Sequence, residues 1–168
     1  MASVDVKVFY LEMLTPGQQS LPPLPDGCMI LHALRPPVSF YRYLYNTIGQ
    51  AYHWYSRGKL SDAELAAVLS DPRNEVHVLY ADGVPAGFAE LDRRVEGEIE
   101  LVQFGLMPEF IGKGLGKAFL RRIIDKVWSG QPRRFWLHTC TLDHAAALPN
   151  YLKAGFAVYR EETITRDI

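Results

Sequence analysis

Little in this chain is extreme, and each shortage excludes something. Two of its 168 residues are cysteines, Cys28 and Cys140. They lie far apart and form no metal-ligand spacing, so the sequence calls for no metal. So sparse a usage suits buried thiols in a reducing compartment better than a disulfide framework. No apolar run approaches the roughly 20 residues that cross a bilayer, and no membrane partner is expected. The opening Met1-Ala2-Ser3-Val4-Asp5-Val6-Lys7 has no basic segment leading into an apolar one, which argues against a secretory signal and for a cytoplasmic protein. Charge of one sign is also missing. With 18 basic and 19 acidic residues the net charge is −1, which leaves no electrostatic footprint for nucleic acid. Neither an internal repeat nor a low-complexity tract is present. What remains is 48% hydrophobic and 22% charged, the composition of a globular protein. The length fits a single domain over residues 1–168 with a full core.

Periodicity divides the chain into elements. Val4 to Leu11 alternates and then runs apolar, as a strand does. Residues 15–27 carry Pro16, Gly17, Pro22, Pro23, Pro25 and Gly27, a loop. Met29 to Leu34 is a short strand stopped by Pro36 and Pro37, and the aromatic-rich stretch from Phe40 to Tyr55 has helical spacing. Ser61-Asp62-Ala63-Glu64 fits a capping box, predicting a helix that Pro72 closes. Val76 to Tyr80 and the run from Val84 to Leu91 flank Asp82-Gly83, a hairpin signal. A third strand covers Glu98 to Leu106. After Gly114, Leu115, Phe119, Ile123 and Val127 form one apolar stripe, ended by Gly130 and Pro132. Then follow a strand over Phe135 to Cys140, a helix over Asp143 to Lys153 closed by Gly155, and a last strand over Phe156 to Thr165.

Between the third strand of that series and its helix stands Ile111-Gly112-Lys113-Gly114-Leu115-Gly116-Lys117. Glycine permits positive φ and close approach of a ligand to the backbone. A helix starting there aims unpaired N–H groups and its positive dipole end into the turn, an arrangement suited to phosphate or pyrophosphate. Lys113 and Lys117 add positive charge. Taken alone, the same glycines equally fit an ordinary tight turn.

The order strand, glycine turn, helix, strand, helix, Gly-Phe, strand resembles the GNAT superfamily of acyl-CoA-dependent N-acetyltransferases. Gly112-Lys113-Gly114-Leu115-Gly116 is similar to the family's Q/R-x-x-G-x-G/A pyrophosphate loop. Tyr151-Leu152-Lys153-Ala154-Gly155-Phe156 is similar to its Y-x-K-x-G-F block. The specific match covers roughly residues 98–160. The resemblance implies an α/β (α+β) fold: a central mixed, mainly antiparallel sheet flanked by helices, with splayed strands forming an acyl-CoA cleft. It implies acetyl-CoA as co-substrate without a metal, and a small-molecule or peptide amine as acceptor. Transfer would be direct, in a ternary complex without a cysteine nucleophile; homodimers are common in the family. Two positions depart from the pattern. Ile111 stands where the family usually has Arg or Gln, and His144 where many members have Asn.

Carried onto this sequence, the resemblance assigns cofactor contacts to Phe104, Leu106, Ile111, Gly112, Lys113, Gly114, Leu115, Gly116, Lys117 and His144. A backbone N–H in the Phe104–Leu106 stretch would face the thioester oxygen, a contribution of about 3 kcal/mol to the transition state. Tyr151 is the general-acid candidate. A phenol near pKa 10 protonating a thiolate near 8.5 climbs by roughly 1.5 units, or about 2 kcal/mol. Glu100 is the first general-base candidate and Glu98 the second, two residues apart on one strand face. The alternative is that Glu96, Glu98 and Glu100 form a solvated face. His138 is a further base candidate or a structural histidine, and Glu90 is weaker. Phe40 to Tyr45 and Tyr52 to Tyr55 either wall an acceptor pocket or pack in the core; Arg42 and Arg57 either meet a substrate carboxylate or are solvated. Two rival readings stay open. One is an acyl-CoA-binding or sensing module without catalysis. The other is a dinucleotide-binding oxidoreductase, against which Asp143 lies too far from the glycines.

Overall fold

Seven strands build one sheet: β1 (Ser3–Met13), β2 (Cys28–Ala33), β3 (Asn74–Ala81), β4 (Val84–Asp92), β5 (Glu98–Leu106), β6 (Arg134–Cys140) and β7 (Ala157–Asp167). Four α-helices accompany them among the described residues: α1 (Val38–Gly49), α2 (Asp62–Ser70), α3 (Leu115–Ser129) and α4 (Ala147–Ala154). These elements come from a computed structural model that describes residues 2–17 and 22–168. Of the expected loop at 15–27, residues 18–21 lie outside the described residues, and the remainder holds neither helix nor strand. No helix among the described residues is long and apolar enough to cross a membrane.

Local chemistry accounts for the element ends. Ser61 Oγ accepts from Glu64 N at 3.1 Å while Glu64 Oε1 accepts from Ser61 N at 3.0 Å, so both halves of the capping box are made at the start of α2. Asp82 and Gly83 both take positive φ, the requirement of the tight turn whose twist matches a β3–β4 hairpin. The aromatic stretch does not stay helical to Tyr55. It leaves α1 through a 3₁₀ turn over Gln50–Tyr52 and stops at His53, which sits at φ 55. The predicted helix over 143–153 starts late, at Ala147. Asp143 and His144 hold the preceding turn with their side chains: Asp143 Oδ2 accepts from Cys140 N at 3.0 Å, and His144 Nδ1 from Ala146 N at 3.0 Å.

The strand order is β2-β3-β4-β5-β6-β1-β7. The first strand therefore lies inside the sheet, antiparallel to both β6 and β7. All neighbouring pairs are antiparallel except β5 with β6. That mainly antiparallel topology is not a doubly wound parallel sheet, so the dinucleotide-binding alternative does not describe this fold. The sheet separates two cores. Under α3 lie Phe119, Leu120, Ile123, Phe135, Leu11 and Leu79. Under α1 and α2 lie Tyr41, Leu44, Ile48, Leu65, Val78 and Phe88.

Candidate functional site

One parallel pair generates the cleft. β5 and β6 are in register only at Glu98↔Arg134, Ile99↔Phe135 and Glu100↔Trp136, and then diverge. Past that point each strand turns an unpaired edge toward the other. Met107 N donates to Ala86 O on the β4 side at 2.8 Å. The two-residue alternation of an antiparallel ladder then turns the N–H groups of Phe104 and Leu106 away from β4, into the gap. A cavity of about 1040 Å³ fills this gap and is lined by β5 from Glu100 to Leu106 and by His138, Thr139 and Cys140 of β6.

A bulge decides what faces where. Opposite β4, the register runs Glu90↔Gln103 and then Leu91↔Leu101, so Val102 is the extra residue. The bulge shifts the pleat by one. Ile99 and Leu101 share the α3 side with Phe104 and Leu106, all in or against that core. Glu100, Gln103 and Gly105 share the α1 side, where a Cβ on Gly105 would stand 2.5 Å from Ile48 Cγ2. Glycine there lets α1 approach the strand that lines the cleft.

At one end the cavity meets the glycine loop. Gly112, Gly114, Gly116, Lys117 and Ile111 line it, together with Ala146, Ala147 and Asn150 from the α4 segment. Gly112 and Gly114 take φ 84 and 77, and a Cβ at either would meet no protein atom within 4 Å. The glycines thus serve backbone conformation and leave open space above the loop. Gly114 is the N-cap of α3 and offers no side-chain cap to the first N–H groups. A 15-residue helix with uncapped donors at a cavity mouth is a cradle that a pyrophosphate fits. Lys117 belongs to that rim. Lys113 turns aside, with Nζ 5.4 Å from the centre of the Phe110 ring. Leu115 is buried in the α3 core rather than lining the cavity.

Tyr151 stands midway, nearly buried, with its ring 6.3 Å from that of Phe104 and 5.9 Å from that of Phe156. Burial pushes its pKa up, and the charge of Asp143 pushes it further. Asp143 is a cavity residue that sequence reasoning missed. It accepts from the Thr139 hydroxyl as well as from Cys140 N, and no spacing rule marks it. His144 also lines the cavity and meets Tyr52 edge-to-face at 6.1 Å.

At the other end the walls become aromatic and ionic. Glu100 lines the cavity here, opposite Asp92 of β4. Burial, with Asp92 and Glu90 nearby, raises its pKa from 4.5 to about 7, although Arg57 and Arg94 oppose the shift. Glu98 is not a lining residue; its carboxylate is 3.8 Å from Arg134 where β5 and β6 join. His138 opens onto the cavity beside Tyr10, and enclosure by the walls lowers its pKa against the pull of Asp143 and Glu162. Glu90 is wholly buried. It accepts from the Tyr41 hydroxyl and pairs with Arg57, Nη2 to Oε2 at 2.5 Å. Arg42 sits elsewhere, on Asp62 at 3.0 Å and the Leu60 carbonyl at 2.8 Å.

The segment after α1 closes this end, and three contacts tie it down. Arg57 reaches Glu90, Gln103 Nε2 donates to Ser56 Oγ at 3.3 Å, and Arg166 of β7 donates to His53 O at 2.6 Å. Arg166 also lies 4.0 Å over the Tyr55 ring. Tyr52, Trp54 and Tyr55 are thereby held as a wall of the cavity, Tyr41 packs in the core, Tyr45 belongs to both, and Tyr43 is exposed, so the aromatic stretch meets both expectations only in part.

A sequence model described as the acetyltransferase (GNAT) family matches residues 39–156. Uncharacterized N-acetyltransferases of Mycobacterium bovis and Mycobacterium tuberculosis are 29% identical over 99 residues, covering 59% of this chain and 63% of theirs. The match therefore spans less than two thirds of those relatives. A GCN5-related N-acetyltransferase from Sphaerobacter thermophilus superposes with a TM-score of 0.67 at 16% identity, over 95% of this chain and 50% of that one. One from Kribbella flavida gives 0.65 at 17%, over 95% and 56%. At such identities these two establish likeness of fold.

Proposed function

The chain belongs to the GNAT family of acetyltransferases, and on that premise we propose that it moves an acetyl group from acetyl-CoA to an amine acceptor within a ternary complex. The observation that carries this reading is the meeting of three features in one cavity. These are the uncapped α3 N-terminus with its glycines, the unpaired edge of β5, and a carboxyl that titrates near neutrality. Acetyl-CoA supplies the activated acyl group; the chain supplies binding, polarisation and proton handling.

Gly112, Gly114, Gly116 and Lys117 hold the pyrophosphate at the helix start, where backbone N–H groups do most of the work. The N–H of Phe104 or Leu106 donates to the thioester oxygen as negative charge develops there, a fixed donor that needs no reorganisation during the reaction. Glu100 takes the acceptor's proton. Its pKa near 7 makes it a far better base than an ordinary carboxylate while leaving it half ionised at neutral pH. It lies three ladder steps from Phe104 along the bulged strand, about 10 Å, so the amine's proton reaches it through water. Tyr151 faces the departing sulfur. Its raised pKa makes complete proton loss costlier than for a free phenol, which favours a hydrogen bond donated to the thiolate. The acceptor's body packs on Tyr52, Trp54 and Tyr55, and its amine points toward Glu100.

Calorimetric titration with acetyl-CoA, with CoA and NAD as controls, tests the foundation. Saturable binding of acetyl-CoA and CoA but not NAD is expected, followed by amine-dependent thiol release. Absence of acetyl-CoA binding would reduce the glycine loop to a turn. Binding without release for any amine, amino acid or peptide offered would favour a sensing module.

A further inference from the structure

Two strands away from the cleft, the β2 edge of the sheet carries a second group of chemically active side chains. His32 of β2 stands directly opposite His77 of β3, and Glu75 lies two residues before His77 on the same face of that strand. We propose that His32, Glu75 and His77 form a binding site for one divalent transition-metal cation of the zinc type. Each residue offers one ligand atom, and the three atoms lie within 4.8 Å of one another. The two imidazole rings are 4.5 Å apart between centroids, and His77 Nε2 is 2.9 Å from Glu75 Oε1. Donors around a tetrahedral zinc, at bonds near 2.1 Å, stand about 3.4 Å from each other. Small side-chain rotations therefore close the site without moving the strands that carry it.

The surroundings fit a metal centre in two respects. Arg93 Nε donates to Glu75 Oε2 at 2.8 Å, which fixes the carboxylate plane and leaves Oε1 turned toward the imidazoles. Such an outer partner orients a ligand and tunes its affinity. His77 is buried to 1% exposure, which fixes its ring, while His32 is open to solvent and provides both an entry path and room for water at the remaining position. Arg93 and Lys126 of α3 lie nearby, and their positive charge opposes a bound cation, which the Glu75 carboxylate has to offset. Two imidazole nitrogens and one carboxylate suit zinc, cobalt, nickel or copper, whereas magnesium and calcium require more oxygen ligands. Occupancy would pin β2, which among the described residues is an edge strand paired with β3.

The sequence concealed this group because His32 and His77 meet only through strand pairing. The test is a competition titration of the untagged, chelator-stripped 168-residue chain with Zn²⁺ against a chromogenic chelator, beside cobalt absorption spectra. One equivalent of Zn²⁺ should bind, and cobalt should give the visible bands of a tetrahedral site with nitrogen ligands. Thermal unfolding should shift upward with Zn²⁺ and not with Mg²⁺. His32→Asn, a solvent-exposed change that keeps the fold, should weaken Zn²⁺ binding at least tenfold, and Glu75→Gln should do so as well. Unchanged affinity in both variants, no binding by the parent chain, or an equal thermal shift with Mg²⁺ would overturn the assignment.

Discussion

The two faces of β5 present opposite solutions to the problem of building a cleft. On the α3 side, Ile99, Leu101, Phe104 and Leu106 join a wholly apolar core. On the α1 side, the same strand turns Glu100 and Gln103 toward Glu90, Asp92, Arg57 and Arg94. The first face is stabilised by burial, at roughly 25 cal/mol per Å² of apolar surface. The second takes charges out of water and keeps them tolerable only by pairing. The comparison teaches where the molecule is rigid for its own sake and where it accepts instability for chemistry. A carboxyl held near neutrality needs an enclosed, partly uncompensated setting, and only the ionic face provides one.

Breaking the ionic face at its deepest point should have the largest effect. Arg57→Ala would leave Glu90, with no exposure at all, holding a charge against the Tyr41 hydroxyl alone. Removing one partner of a buried pair costs about 3–5 kcal/mol. Denaturant unfolding should report a loss of that order, and the Tyr52–Tyr55 wall should loosen with it. An unaltered midpoint would mean that the pair contributes nothing net.

Glu100→Gln separates the chemistry of that face from its stability. If Glu100 is the base, turnover should fall about 10²-fold. In the parent, kcat/KM should rise with pH through about 7 as Glu100 ionises, and this limb should vanish in the variant. Stability should move the other way. The unfolded Glu loses its proton near 4.5 and the folded one near 7, so between these values the folded chain binds more protons. Its stability therefore declines as pH rises through that window, by up to about 3 kcal/mol above it. The glutamine variant should be the more stable protein at pH 8 and no different at pH 4. A variant equally stable at both would mean that Glu100 is ordinarily solvated.

In the proposed mechanism the apolar face contributes Tyr151, which packs beside Phe104. Tyr151→Phe removes only the hydroxyl. A hydrogen bond to an anionic sulfur is worth about 2 kcal/mol, so kcat should fall between tenfold and a hundredfold while acetyl-CoA affinity stays within a factor of about three. An equal loss in affinity would make the hydroxyl a binding group instead.

The same contrast governs what the sequence disclosed. Local rules sufficed for α3, whose apolar stripe became the buried set Leu115, Phe119, Ile123 and Val127, and for α2, whose capping box formed in full. They also located the Gly112–Gly116 loop, because positive φ leaves a compositional trace. The ionic face was opaque. Arg57 and Glu90 are 33 residues apart, and Arg166 reaches His53 across 113, so no periodicity links them. The place of β1 between β6 and β7 was equally hidden, since pairing partners are set by global topology rather than by the strand's own pattern. Glu100 and Glu98, the first and second base candidates, share one face of an ideal strand. The end of the β5–β6 pairing separates them: Glu98 stays within the join beside Arg134, while Glu100, the last paired residue, borders the cavity.

The smallest expected effect sharpens the comparison at the loop. Ile111 is 37% exposed and lines the cavity beside the uncapped α3 N-terminus, where the GNAT pattern has Arg or Gln. An apolar side chain there offers no charge to a pyrophosphate, so the proposed cradle would rely on backbone N–H groups and Lys117. Ile111→Arg adds one exposed cation at a helix start that already favours anions. Interactions of that kind are worth about 0.3–1 kcal/mol and are screened by salt. Acetyl-CoA should bind about two- to fivefold more tightly at low ionic strength, the gain should shrink as salt is added, and kcat should not move. A gain that persists in high salt would point to a direct bidentate contact instead. No gain at all would mean that the backbone cradle already saturates the phosphates, and that the departure at this position costs the protein nothing.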